Sequence, residues 1–345
     1  MKYIVGYQMR KDPQFIEDVI EYKDHIKELY FSWGDFPNGR SQLDANNDEI
    51  LFERQSRQVE DLNRISSAGI ALNLLLNANC YGEDSQSRRF FYKIGNTVDY
   101  ISSHFGLDSV TTSSPLIAKF IKENFGGIDV RASVNMEIGT IEGISYLDSY
   151  FDSFYVKREM NRDIKQLRAL RAWCDTEGKE MYLLANSGCL NNCSAHIFHD
   201  NLVAHEANIS KMDNGYKFTG VCWEFLSNEQ KRSKWLERTN FIRPEDLHLY
   251  EEVVGAVKLA TRVNSAPSRV LRAYVQGHYR GSVMELLEPN HSGAFYPLYV
   301  ENSAIPSDFA KQIINCDDAE KKRIICERAM EVACITLMND SSLKV

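Results

Sequence analysis

The 345-residue chain is 43% hydrophobic and 26% charged, the balance of a globular protein able to bury a sizeable core. A net charge of −8 argues against bulk attraction to phosphate backbones or anionic lipid, so nucleic acid stays open as a partner but is not favoured by charge. The opening MKYIVGYQMRKD lacks the features of an export signal and no apolar run is long enough to span a bilayer, which points to a cytoplasmic protein whose eight cysteines are reduced thiols, buried or metal-bound.

YIVGYQ at 3–8 predicts a first strand, followed by a helix over 13–23. IKELYFSW at 26–33 is the second strand; the turn-rich GDFPNGRS then leads to a polar helix over 46–67 that closes before Gly69. Strands follow at 70–79, 107–114, 129–138 and 151–159, each trailed by a stretch of helical period, clearest in NRDIKQLRALRAWCDT at 161–176. KEMYLLANS at 179–187 is a seventh strand and GAVKLATRV at 255–263 an eighth, with a helix over 267–280. Repeated strand–helix units predict an α/β fold, a TIM-like parallel β/α barrel, because parallel strands need crossover helices. A doubly wound open sheet would normally carry a glycine-rich phosphate turn after its first strand, and GYQMRKD has none. The barrel is expected over 1–281, with an inserted cysteine-bearing region at 188–250 and a C-terminal extension at 282–345 packing on it.

In such barrels the reacting groups sit at the C-terminal ends of the strands. Here those ends carry Asn77, Asn135, Arg158, Asn186 and Arg262, amides and cations that suit a polar or anionic small molecule. For any one of them, contact with water explains the polarity; together they describe a substrate pocket. Arg158, Asn186 and Arg262 close three consecutive strands and are therefore expected side by side, each guanidinium able to pair a carboxylate or phosphate through two hydrogen bonds. The rival expectation is structural ion pairing of the arginines with Glu137 or Glu159.

LLANSGCLNNCSAHIFHDNLVAHE at 183–206 concentrates Cys189, Cys193, His196, His199 and His205 just past the seventh strand. Cys222 lies in the same insertion and Cys316 far downstream; four such thiolates, Cys189, Cys193, Cys222 and Cys316, can hold an iron–sulfur cluster or a zinc ion. Zinc held by Cys189, Cys193 and a histidine is a further arrangement, although His205–Glu206 does not continue as a zinc-protease motif. Each histidine taken alone reads equally well as a hydrogen-bonded rim residue. Cys80, Cys174, Cys326 and Cys334 read as buried or idle thiols, with Cys80, Cys174 or Cys326 as substitutes for the fourth ligand.

Three of these segments are similar to the collagenase-like peptidase U-32 family: LLANSGCLNNCSAHIFHDNLVAH at 183–205, FIRPEDLHLYEE at 241–252, and VKLATRVNSAPSRVLRAYVQGHYRGSVMELL at 257–287. The resemblance runs from about residue 30 to 316. It implies a β/α barrel with an added iron–sulfur region, and in one branch oxygen-independent hydroxylation of tRNA, ribosomal RNA or ubiquinone precursors, with prephenate as a proposed oxygen source. Members of that branch carry a 4Fe–4S cluster on four cysteines, which map here to Cys189, Cys193, Cys222 and Cys316. The family's proline after the second cysteine is Ser194, its following arginine is His196, and its glycine before the last strand's arginine is Thr261. The implied function is an iron–sulfur-dependent enzyme hydroxylating a small molecule or nucleobase, with His199 and His205 as proton-transfer candidates. The alternatives are a zinc-dependent hydrolase or peptidase, and a non-catalytic cluster-binding subunit paired with a homologous protein.

Overall fold

The apolar runs fold as eight parallel strands that close on themselves, β1 Lys2–Gly6, β2 Ile26–Phe31, β3 Ala71–Leu76, β4 Ser109–Thr112, β5 Asp129–Ala132, β6 Ser153–Tyr155, β7 Glu180–Leu184 and β8 Ala256–Leu259. The computed structural model describes residues 1–8, 14–39 and 51–336; residue 13 of the first expected helix, 46–50 of the second and 337–345 of the expected extension lie outside them. Closure comes from β1 pairing β8, with Tyr3 opposite Val257 and Val5 opposite Leu259. The TIM-like barrel read from the sequence is therefore the fold.

The helices between strands are α1 Gln14–Glu21, α2 Leu51–Ser67, α3 Arg88–Phe105, α4 Pro115–Asn124, α5 Ile141–Ser145 and α6 Ile164–Glu177. Their bounds follow local chemistry. Asp163 caps α6 by accepting from Gln166 N, and Gly178 ends it in the left-handed conformation. Ser114 caps α4 ahead of Pro115 at its first turn. The strands are shorter than the apolar runs that predicted them. Past Ala132 and Tyr155 the chain turns into 3₁₀ segments, Val134–Met136 and Arg158–Arg162, so the polar ends of those runs become the rim of the barrel.

Alternation along each strand separates two interiors. Val5, Leu29, Leu74, Val110, Val130, Phe154, Leu183 and Val257 face the helices in the main core. Ile4, Tyr30, Leu75, Tyr155, Tyr182, Ala256 and Ala260 pack inside the barrel. The bottom of that inner space is polar. Buried Arg131 is ion-paired with Glu28 and with Asp129 (2.5 Å), and its Nε donates to Ser153 Oγ at 2.8 Å. Glu28 also accepts from Asn73 Nδ2 at 2.7 Å and Ser109 Oγ at 3.3 Å, so the buried charges are paired and hydrogen-bonded. This satisfied layer fills one end of the inner space, and a cavity lies toward the C-terminal strand ends.

Between β7 and β8 the inserted region carries α7 His196–Ala204, α8 Glu206–Ile209, α9 Val221–Ser227, α10 Glu229–Arg232 and α11 Trp235–Arg238. After β8 come α12 Pro267–Gln276, α13 Ser292–Phe295, β9 Leu298–Val300, α14 Phe309–Ile314, α15 Ala319–Ala333 and β10 Cys334–Thr336, with β9 and β10 antiparallel. The Arg-Pro-Glu-Asp segment fastens this extension to the barrel. Buried Arg243 pairs with Asp246 at 2.6 Å and donates to Ile305 O and Pro306 O, while Glu245 accepts from Tyr279 N and Asn302 Nδ2.

Candidate active site

The open end of the barrel holds a cavity of about 60 Å³, lined by Asn77, Asn135, Arg158, Cys189, His199, Asp200, Lys258, Arg262 and Glu288, with Tyr30, Val134 and Leu184 as apolar walls. That is room for a handful of waters, or for a ligand of roughly six non-hydrogen atoms. A wider groove of about 1490 Å³ lies between α2 and α3, lined by Trp33, Val59, Tyr92 and Tyr100 with Arg89 and Lys93. It gathers Trp33 alone from the strand ends and no thiol, whereas the smaller cavity gathers Asn77, Asn135, Arg158, Arg262 and Cys189, so the chemistry is assigned there.

Of the substrate-binding residues expected from the sequence, Asn77, Asn135, Arg158 and Arg262 meet at this cavity. Asn186 does not. Its Nδ2 donates to Ala260 O (2.9 Å) and Leu286 O (2.8 Å), and its Oδ1 accepts from Ala260 N (2.6 Å), so a fully buried amide is spent on holding β7 to β8 and to the extension. Arg158 is also more constrained than a bidentate anion ligand would be. Its guanidinium donates to Glu137 Oε1 (3.0 Å), Asn135 Oδ1 (3.1 Å) and His196 Nε2 (2.8 Å). The structural ion pair with Glu137, the rival expectation, is therefore what forms. Arg262 donates to Asn38 Oδ1 at 3.0 Å and lies over the Tyr30 ring, 6.0 Å from its centroid.

Glu137 and His196 both face Arg158. Glu137 is in the left-handed conformation (φ 54°), unusual for a side-chain-bearing residue and placed where β5 gives way to the rim. Burial, only partly offset by Arg158, raises its carboxyl to about 7. Burial and the neighbouring Arg158 lower the imidazole of His196, favouring the neutral ring. Because arginine only donates, the neutral ring accepts at Nε2, and its Nδ1–H faces Glu137 Oε1 at 3.4 Å.

His199, on α7, lines the cavity and packs against Phe218 with ring centroids 5.2 Å apart. His205, the other proton-transfer candidate, stands at the junction of α7 and α8 and is absent from the cavity lining.

The thiols divide as well. Cys189 lines the cavity. Burial pushes the Cys222 thiol up to about 11, and the nearby Cys189 and Cys193 add to that by opposing a further negative charge, so these three cysteines are neighbours. Cys316 lies elsewhere, in the turn between α14 and α15: its Sγ donates to Asp318 O at 3.4 Å, and the adjacent Asp317 pairs with Lys165 of α6. Its expected place as fourth ligand is not supported by this position, because the tail runs along the outside of α6 instead of returning to the rim. Cys174 is buried on α6 and Cys326 on α15, whereas Cys80 accepts from Gly82 N in the loop after β3. Among the described residues, no three Cys, His, Asp or Glu side chains are gathered closely enough to hold a metal ion.

Several site residues were not singled out from the sequence. Lys258 is buried on β8, with Nζ 4.2 Å from the Tyr30 ring centroid and 4.8 Å from that of Tyr155. Gly6 makes the platform possible, since a Cβ there would stand 2.5 Å from the Tyr30 ring. Glu288 and Pro289 arrive from the extension: Gly188 N donates to Glu288 O (3.0 Å), Glu288 N donates to Asn186 O (3.1 Å), and His291 Nε2 donates to Gly188 O (3.0 Å). The legible signal was for Lys258 alone, a lysine between Ala256 and Ala260 on the inward parity of an apolar strand.

No family model matches the chain. It is 26% identical over 285 residues to an uncharacterized protease of Methanocaldococcus jannaschii, covering 81% of this chain and 80% of the relative. It superposes on a solved U32 peptidase with a TM-score of 0.54 and 14% identity, over 75% of this chain and 92% of that one, a likeness of fold. No helix among the described residues is long and apolar enough to cross a membrane.

Proposed function

We propose that this chain, which resembles the peptidase U-32 family, is an iron–sulfur-dependent enzyme that modifies a small anionic molecule at the mouth of its barrel, by chemistry of the oxygen-independent hydroxylation type. The observation that carries the reading is the position of Cys189, which shares one cavity with Asn77, Asn135, Arg158, His199 and Arg262 while neighbouring Cys193 and Cys222. Cys189, Cys193 and Cys222 would hold a 4Fe–4S cluster, which supplies one-electron redox chemistry when bound. The protein's own groups do the rest. Arg262 binds the anion, and Asn135 with the Arg158–Glu137 pair fixes the wall beside it. Tyr30, Val134 and Leu184 exclude water, and His199 moves a proton at the rim. The cavity volume of about 60 Å³ favours a small molecule over a nucleobase carried on a polynucleotide.

Metal analysis of anaerobically purified protein tests this. Iron and acid-labile sulfide at about four per chain are expected, lost in Cys189→Ser, Cys193→Ser and Cys222→Ser and retained in Cys316→Ser. Zinc without sulfide would instead support a hydrolase, the reading suggested by the name of the archaeal relative. Protein that folds but takes up neither metal would overturn the proposal.

A further inference from the structure

We propose that Lys258 is a carbonyl-binding amine, which takes a small 2-oxo acid as a covalent imine at the floor of the barrel-mouth cavity while Arg262 holds the carboxylate. The inference rests on that cavity being the ligand site, as proposed above, and not on the cluster.

The geometry carries it. Lys258 is only 6% exposed, yet it lines the cavity. Among the described residues its Nζ has no hydrogen bond and no carboxylate within ion-pair distance; its close partners are the Tyr30 and Tyr155 rings. A buried lysine that merely braced the barrel would be expected to neutralise an acid, and the acid below it, Glu28, is already taken by Arg131, Asn73 and Ser109. Ala256 and Ala260, its inward neighbours on the strand, are small and leave room on both sides. Arg262 and Glu288 line the same cavity, Glu288 Oε2 accepting from Val263 N at 3.1 Å beside Arg262. Burial first, then Arg262 and Arg131, lower the amine to about 7 against the opposing pull of Glu28 and Glu288, so a large share is unprotonated and nucleophilic at neutral pH.

The step balances without an outside oxidant. The neutral Nζ attacks the carbonyl carbon and forms the N–C bond, and the carbonyl π pair takes a proton that the nitrogen releases. The resulting hydroxyl leaves as water with the second nitrogen proton, which Glu288 or His199 relays, and the C=N bond remains. A ligand of about six non-hydrogen atoms, the size of pyruvate, matches the cavity.

The test treats the full-length, anaerobically purified protein with pyruvate and sodium cyanoborohydride, followed by intact mass and peptide mapping. The expected result is one reduced adduct per chain on the peptide carrying Lys258, formed at least tenfold faster than on any exposed lysine. Lys258→Met, which keeps an unbranched apolar stem against the tyrosine rings and removes the amine, should form no adduct there. Absence of an adduct, or adducts spread over exposed lysines with Lys258 unmodified, overturns the proposal in wild-type protein without recourse to a variant. Iron and sulfide measured on the same sample report separately on the cluster: iron without the adduct overturns the imine alone, and the adduct without iron overturns the cluster alone.

Discussion

Replacing Asn186 with alanine separates a structural clip from a ligand-binding amide. The side chain is fully buried and makes three hydrogen bonds, at 2.6, 2.8 and 2.9 Å, to Ala260 N, Leu286 O and Ala260 O. Alanine leaves one N–H and two C=O groups buried without those partners. At about 1–2 kcal/mol for each orphaned group the loss is roughly 3–6 kcal/mol, a large part of the 5–15 kcal/mol typical of a folded domain. Urea unfolding followed by tryptophan fluorescence should therefore show the midpoint falling steeply at unchanged slope. A loss below about 1 kcal/mol would refute the reasoning, because it would mean that water or a rearranged neighbour satisfies the freed groups and that Asn186 was available to a ligand all along.

Gly188→Ala should displace the extension, since a Cβ at Gly188 would stand 2.1 Å from Pro289 O; the expected sign is faster proteolytic cleavage between 281 and 291 than in wild type. Glu28→Gln should cost about 1.5–3 kcal/mol, because Arg131 loses its more buried charged partner and keeps only Asp129 as a counter-charge; a loss below about 0.5 kcal/mol in urea unfolding would contradict it. Lys258 supplies a pH signature. Between about 7 and the ordinary 10.5 the unfolded chain holds a proton that the folded chain has released, so stability gains from rising pH across that window, by an amount on the order of a few kcal/mol. Lys258→Met should lack that gain, and parallel stability–pH curves for the two proteins would contradict it.

The barrel was legible because both faces of its strands are buried, which leaves dense apolar runs, and because each run is followed by a stretch of helical period. What those runs hid was where pairing stops. Ser133 accepts from Asn135 N and starts a 3₁₀ turn, so the residues beyond Ala132 belong to the rim. The rim cations and amides were legible by position, and Glu137 was legible as a rival partner for Arg158; what no local pattern announces is the φ of 54° that Glu137 adopts at the rim. Lys258 was overlooked because a single lysine inside an apolar run resembles a strand-end solvent contact; only its parity with Ala256 and Ala260 points inward. Cys316 was placed at the rim by counting thiols, and the path of the tail, set by Arg243 holding Ile305 O and Pro306 O, takes it along the outer surface. Glu288 and Pro289 could not be anticipated, because their place depends on a parallel bridge to Ser187 about a hundred residues away.

That bridge also has a consequence for how the molecule is made. Synthesis runs from the N-terminus, so all eight strands leave the ribosome before Glu288 and Pro289 do. A nascent chain can close its barrel and present Cys189, Lys258 and Arg262 at a rim that still lacks one wall. Until Glu288 and Pro289 arrive, the cavity lacks the part of its lining that they supply in the finished protein. The last wall is thus added after the barrel, and the bridge to Ser187 and the His291 hydrogen bond to Gly188 O are what hold it there.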